Sequence, residues 1–289
     1  MLCRSACPGC RSARCFPHHR RLISSTLRPT GPALARGSLV TSVVIGVYCF
    51  LPENGTEEEH NNMSRVLIVG GVAGGASCAA RLRRLDESAE IILFERGEYI
   101  SYANCGLPYH VGGVIEPRDE LLLMTPELMN DRFNIDVRVR QEVTAIDREN
   151  KRVTVLDHAT GRTYEERYDT LVLSPGSSPL RPPIPGIDSP RIHTLWTVPD
   201  TDEVRRIIRQ DKVQRAAVIG GGFIGLEMIE NLRHLGLEVT LVEAMDQVMA
   251  PLDMELAEIL HGHIRGQGVD LILSDAVASF EDDGQQVHI

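Results

Sequence analysis

The chain has 289 residues, 43% hydrophobic and 24% charged, with a formal net charge of −10. That length allows two domains with a sizeable core, and the composition excludes a disordered polymer. The acidity excludes a nucleic-acid partner, because a negative surface has no general means of holding a phosphate backbone.

Residues 1–62 read as an extension foreign to the fold, disordered or serving as a targeting leader. Five of the seven cysteines (Cys3, Cys7, Cys10, Cys15 and Cys49) lie there, with seven arginines, no lysine and no acid before Glu53. A basic, Ser-containing, acid-poor leader resembles an organelle address, and the apolar run 39–51 resembles a signal-type segment. That run is short of the roughly 18 to 20 residues needed to cross a bilayer. Cys3, Cys7 and Cys10 have the spacing of three iron-sulfur ligands, and Cys15, His18 and His19 that of zinc ligands. Arg, Pro and Ser surround them without any finger or barrel pattern, so no metal site is expected. The expected location is cytoplasmic, with an organelle or membrane association as the alternative if the leader is genuine.

From Arg65 the text is RVLIVGGVAGGASCAARLRRLDESAEIILFE. A short apolar β-branched run, 65–69, has the signature of a buried parallel strand. A glycine turn (Gly70, Gly71, Ala73, Gly74, Gly75) follows, then a small-residue helix over 76–85 and a second strand, 90–94, ending on Glu95. In this order the turn lets the backbone approach a pyrophosphate. The helix N-terminus supplies N–H groups, and the acid accepts from ribose hydroxyls. Val72 occupies the middle position of a strict GxGxxG.

Residues 135–173 are expected to form a β-meander of five short alternating strands. They end in the small-residue turn Ser174-Pro175-Gly176, a second place where backbone can touch a nucleotide, and a Pro-rich linker. A cleaner unit then begins, AAVIGGGFIGLEMIENLRHLGLEVTLVE. It has a strand at 216–219, the turn Gly220, Gly222, Phe223, Ile224 and Gly225, a helix to about Leu235 with Gly236 beyond it, and a strand at 239–242 leading to Glu243. An acid at that spacing favours a free ribose 2′-hydroxyl over a phosphate, so NADH is favoured over NADPH. The chain closes on a strand pattern, 277–280 and 287–289. The expected architecture is α/β and three-layered, with two Rossmann-like dinucleotide domains. Residues 63–180 form the first segment of an FAD domain carrying the meander, and 181–289 form an NAD(P) domain incomplete at the C-terminus.

Two dinucleotide units in one chain suggest electrons passing between FAD and a nicotinamide, and such traffic needs a third participant. Cys105 is the candidate, in the turn-rich loop Ser101-Tyr102-Ala103-Asn104-Cys105-Gly106-Leu107-Pro108-Tyr109, whereas Cys78 sits among alanines on a helix and reads as packing. His110 follows the loop and could tune it. His158, His234, His261 and His263 are expected at the surface.

These segments resemble a known family, the single-cysteine flavoprotein disulfide reductases, among them the coenzyme A disulfide reductases and their rhodanese-fused forms. The resemblance rests on VGGVAGGASCAARLRR, SYANCGLPY, the SPG turn and VIGGGFIGLEMIENL, and runs from about Arg65 to Ile289. Family loops usually read Ser-Phe-x-Asn-Cys, so Tyr102 departs while Ser101, Asn104 and Cys105 match. The resemblance implies electron flow from NAD(P)H through FAD to Cys105, which attacks a CoA disulfide or persulfide as its thiolate. It also implies that Arg96 and Val143 contact FAD and that Ser77, Arg81 and Arg84 contact CoA. Relatives acting on peroxide or oxygen typically carry His where this chain has Ala73. An NADH oxidase or peroxidase is therefore the second reading, and a nucleotide-binding remnant without turnover the third. Family chains continue into a returning FAD segment and a dimerisation domain, so a truncated chain lacking the homodimer contacts is expected.

Overall fold

The computed structural model describes residues 48–50, 63–210 and 212–289. Of the N-terminal segment only the backbone of β1 (Tyr48–Phe50) is therefore described; the leader and the Cys3–Cys15 cluster lie outside the described residues.

Arg65 leads into β2 (Arg65–Val69), followed by α1 (Ala73–Leu85) and β3 (Glu90–Glu95). The helix begins three residues earlier than the sequence predicts, so Gly74 and Gly75 form its first turn rather than a loop before it. A helical run then joins a 3-10 turn at Asn104–Gly106 to α2 (Leu107–Val111), with Pro108 in its first turn. α3 (Pro126–Phe133) is capped by the Thr125 hydroxyl, which accepts from the Leu128 N–H, and ends on Asn134 in the left-handed region (φ +48).

The strands β4 (Asp136–Val139), β5 (Gln141–Asp147), β6 (Arg152–Asp157), β7 (Thr163–Arg167) and β8 (Thr170–Leu173) occupy the predicted meander, and they correct it. Only β5, β6 and β7 form an antiparallel sheet. β4 and β8 instead join β2 and β3 in a sheet of order β1-β8-β2-β3-β4, parallel except for β1. Burial marks β8, whereas β4, with Asp136 exposed and the rest half-buried, is told from the meander only by its pairing with β3. Leu171 and Val172 are adjacent in sequence and both buried, which demands cover on two faces, whereas β7 alternates exposed and half-buried residues. Three layers result. Ile68, Ile91 and Leu93 pack with Ala76 and Ala79 of α1, and Leu67, Ile92 and Phe94 on the opposite face pack with Val153 and Val155 of β6.

The second unit contains α4 (Val198–Gln210), β9 (Arg215–Ile219), α5 (Phe223–His234), β10 (Glu238–Val242), α6 (Met254–Gly266) and β11 (Val269–Ile272), with a parallel sheet of order β11-β10-β9. The sequence reading missed α4, although a reciprocal cap announces it. Thr197 N–H donates to Asp200 (2.8 Å) and Asp200 N–H to the Thr197 hydroxyl (3.3 Å). The expected strand at 277–280 is absent; that stretch is irregular, and the Phe280 N–H donates to Pro185 of the linker. Beyond it lies a hairpin of two-residue strands, β12 (Glu281–Asp282) and β13 (Val287–His288), tied to the linker by Ser189 and Arg191 on Asp282. His261 is fully buried on α6, against the expectation of a surface position.

Candidate functional site: two glycine turns and a cysteine cleft

The first turn is built by close approach. Gly70 has φ +97, and a Cβ there would stand 1.9 Å from the Ser174 carbonyl oxygen, while one on Gly75 would stand 1.7 Å from that of Gly70. Only hydrogen fits at either position. Ser174 N–H donates to the Val69 carbonyl (2.7 Å), so the Ser174-Pro175-Gly176 turn, with Gly176 at φ +68, crosses directly over Gly70. The second turn repeats the internal contact, Gly225 against the Gly220 carbonyl oxygen at 2.0 Å, with Gly220 at φ +103. Nothing lies within 4 Å of a Cβ built on Gly220 or Gly222.

The two acids expected to meet ribose also brace their own turns, and in the same way. Glu95 accepts from the Gly71 N–H and the Gly97 N–H, both at 2.8 Å. Glu243 accepts from the Gly221 N–H (2.6 Å) and the Met245 N–H (2.8 Å). An ionised carboxylate has about four lone-pair sites, so each acid keeps acceptor capacity for a sugar hydroxyl.

Ser101 connects the first turn to the cysteine loop. Its N–H donates to the Gly71 carbonyl (3.1 Å), and its own carbonyl accepts from Leu123 (3.0 Å). It adopts φ +45, a conformation an L-residue holds only under such restraint. Asn104 and Cys105 follow, both exposed and at the start of the helical run into α2; Cys105 is an exposed thiol outside any disulfide.

A cleft of about 350 Å³ joins this loop to the second turn. Asn104, Cys105, Leu107 and Pro108 line one side, Phe223, Ile224 and Glu227 of α5 another, and Leu195 and Trp196 complete it. The structure thus brings predicted catalytic residues together with predicted nucleotide residues. It adds Glu227 and Trp196, which the sequence reading did not select. Glu227 follows the second turn within GGGFIGLE, so an acid just inside the helix was the available signal. Burial, and then Glu230, push its carboxyl above the ordinary range. Burial, and then the charges of Glu227, Glu230 and Cys105, raise the Tyr109 phenol in the same direction.

α2 is held from behind. His110 is buried, its Nδ1 lying 2.7 Å from the Ile115 carbonyl oxygen. The Arg205 guanidinium of α4 sits against the ring, 2.7 Å from Nδ1 and 2.8 Å from Nε2; with Nδ1 donating to Ile115, Nε2 is the acceptor. Arg118 grips Asp202 of α4 with two nitrogens and stacks on Tyr99.

Ser77, Arg81 and Arg84 are exposed and share one stripe of α1, whereas Arg83 is tied to the Phe133 and Asn134 carbonyls. Arg96 is exposed, and Val143 packs at the edge of the core between the two sheets. Among the described residues no group of three His, Cys, Asp or Glu side chains is placed to hold a metal ion, and no helix is long and apolar enough to cross a membrane.

Residues 64–289 match the family model for pyridine nucleotide-disulphide oxidoreductases. A coenzyme A disulfide reductase of Staphylococcus epidermidis is 40% identical over 216 residues, covering 75% of this chain and 49% of that protein. Among solved structures, reduced Bacillus anthracis CoADR-RHD is 53% identical, with a TM-score of 0.76, over 77% of this chain and 40% of its own. A NAD-dependent persulfide reductase from A. fulgidus is 36% identical, with a TM-score of 0.73, over 77% and 42%. The chain therefore spans about half the length of the curated relatives it matches.

Proposed function

Because the chain belongs to the pyridine nucleotide-disulphide oxidoreductase family, we propose that it serves a NAD(P)H- and FAD-dependent reduction of a CoA disulfide or CoA persulfide, with Cys105 as the reacting thiol. The observation that carries this reading is the cleft in which Cys105 and Asn104 face Phe223, Ile224 and Glu227 of the second glycine turn.

The residues present fit both cofactors. The Gly70–Gly75 turn, closed by Ser174-Pro175-Gly176 and braced by Glu95, would hold the FAD pyrophosphate and ribose. The open Gly220–Gly225 turn with Glu243 would hold the nicotinamide nucleotide, and an acid at that place favours NADH. Bound FAD supplies two-electron transfer between a nicotinamide and a thiol.

The chain's own residues account for the sulfur chemistry. The Cys105 thiolate attacks one sulfur of the disulfide; that S–S bond breaks, a Cys105–CoA mixed disulfide forms, and the other CoA leaves as thiolate. Two electrons from NADH and two protons then return Cys105 and free the second CoA thiol. Ser101, pinned through Gly71, fixes the loop, and Asn104 lies beside the thiol in the cleft. Ser77, Arg81 and Arg84 form an exposed cationic stripe suited to CoA phosphates. A cytoplasmic location completes the proposal.

The test is NADH-dependent release of CoA thiol from CoA disulfide by the purified protein. Cys105→Ser is expected to abolish it. Thiol release that survives this substitution, or oxygen consumption without dependence on a CoA species, would overturn the reading.

A further inference from the structure

His261 is a polar side chain with no exposed surface, on the buried face of α6 that also carries Ala257 and Ile264. Its Nε2 accepts a hydrogen bond from the Val248 N–H at 3.1 Å. Its Nδ1 is buried without a hydrogen bond and stands 3.4 Å from the Glu258 carboxylate on the same helix. The ring therefore contributes one directed interaction, as an acceptor, and that interaction points into the segment after Glu243.

Val248 is itself fully buried, and its Cγ1 would stand 2.6 Å from a Cβ on Gly221. The next residue, Met249, donates its N–H to the Gly221 carbonyl (2.8 Å), while the Gly221 N–H donates to Glu243 (2.6 Å). Gly221 lies inside the second glycine turn. A continuous set of contacts thus runs from α6 through Val248 and Met249 to the turn and its acid. Without the imidazole, the buried Val248 N–H loses its acceptor, a loss that a local shift of this segment would relieve.

We propose that His261 is a positioning residue for the second dinucleotide turn: accepting from Val248, it fixes the 248–249 segment and through it the placement of Gly221 and Glu243. The proposal rests on the reading of this turn as the nicotinamide-nucleotide site.

Three variants of the whole chain test it. His261→Leu removes the acceptor, His261→Asn keeps polarity but is too short to reach Val248, and His261→Gln extends an amide oxygen to where Nε2 stands. Two quantities are measured: the Kd for NADH, and amide hydrogen exchange at Gly221, Val248 and Met249 without nucleotide. The expected result is NADH binding weakened about tenfold in the Leu and Asn variants and restored in the Gln variant. Exchange at the three amides should rise in parallel while flavin content stays unchanged. Equal NADH affinity and equal exchange in all variants overturns the role of His261. If the unsubstituted protein binds no NADH, the functional reading fails; the exchange measurement then decides His261 alone, upheld by acceleration in Leu and Asn with recovery in Gln, and overturned by its absence. Should His261→Leu not fold, the contrast between Asn and Gln carries the same decision.

Discussion

Glu95 and Glu243 occupy equivalent places in the two units and spend their carboxylates identically, each accepting from the second glycine of its turn and from the N–H two residues further on. Hydrogen bonds to a charged acceptor contribute roughly 1.5 to 3 kcal/mol apiece, so the brace fixes the turn before any ligand arrives. Replacement by glutamine turns an acceptor into a donor facing an N–H. Glu95→Gln is expected to lower flavin content, read from the visible absorbance of purified protein. Glu243→Gln should leave flavin content intact and weaken NADH binding about tenfold or more by titration. The acids were legible in sequence from their spacing after the glycines, and Cys105 from its loop. The turn-bracing contacts were not, because they depend on a strand end folding back over a loop, which spacing alone does not reveal. His261 was misplaced because the reading weighed its polar side chain and not its spacing: residues 257, 261 and 264 share one face of α6, and that face is buried.

At the level of elements, the short α2 cannot hold itself in place, since five residues make little more than one turn. It is fixed by what packs behind it. Gly112, which follows α2, is so close to Asn231 of α5 that a Cβ would stand 2.1 Å from the amide oxygen. Gly112→Ala is expected to destabilise the protein by about 1 to 3 kcal/mol in urea unfolding and to slow thiol release through displacement of the cysteine loop. His110 and Arg205 supply a second restraint, with a pH consequence. Burial, reinforced by Arg205, holds the His110 pKa below its ordinary value, so the folded protein keeps the ring neutral where the unfolded chain takes up a proton. Stability is then lost as pH falls below the unfolded value of about 6.5. The urea midpoint should decline through that window, and His110→Gln should flatten the decline; an unchanged slope would remove His110 as its source. β4 and β8 show how a linear pattern misleads. β8 is set apart by cover on both faces, and the half-buried edge strand β4 only by its pairing with β3; both are properties of the assembled layers. The missed α4, by contrast, carried a readable Thr-x-x-Asp cap.

Across the whole molecule the two units repeat a strand, glycine turn, helix, strand and acid, but their surroundings differ. The first has a five-stranded sheet sandwiched between helices and the β5–β7 sheet, whereas the second has three strands with β9 at its edge. β2 buries its three central residues, and β9 buries none fully. Amide exchange should therefore be slowest in β2 and β3 and markedly faster in β9, and equal protection would contradict this ranking. The doubled motif was legible because each copy is local in sequence. The layer that closes the first copy was not, because the Ser174-Pro175-Gly176 turn arrives from about a hundred residues further along the chain. That crossing turn has a kinetic meaning. A group bound at the first turn would meet backbone from two distant segments of the chain, while a Cβ built on Gly220 has nothing within 4 Å. On the proposed function the first nucleotide is a long-term resident and the second a visitor exchanged at every cycle. The same sequence grammar, written twice, thus encodes two residence times.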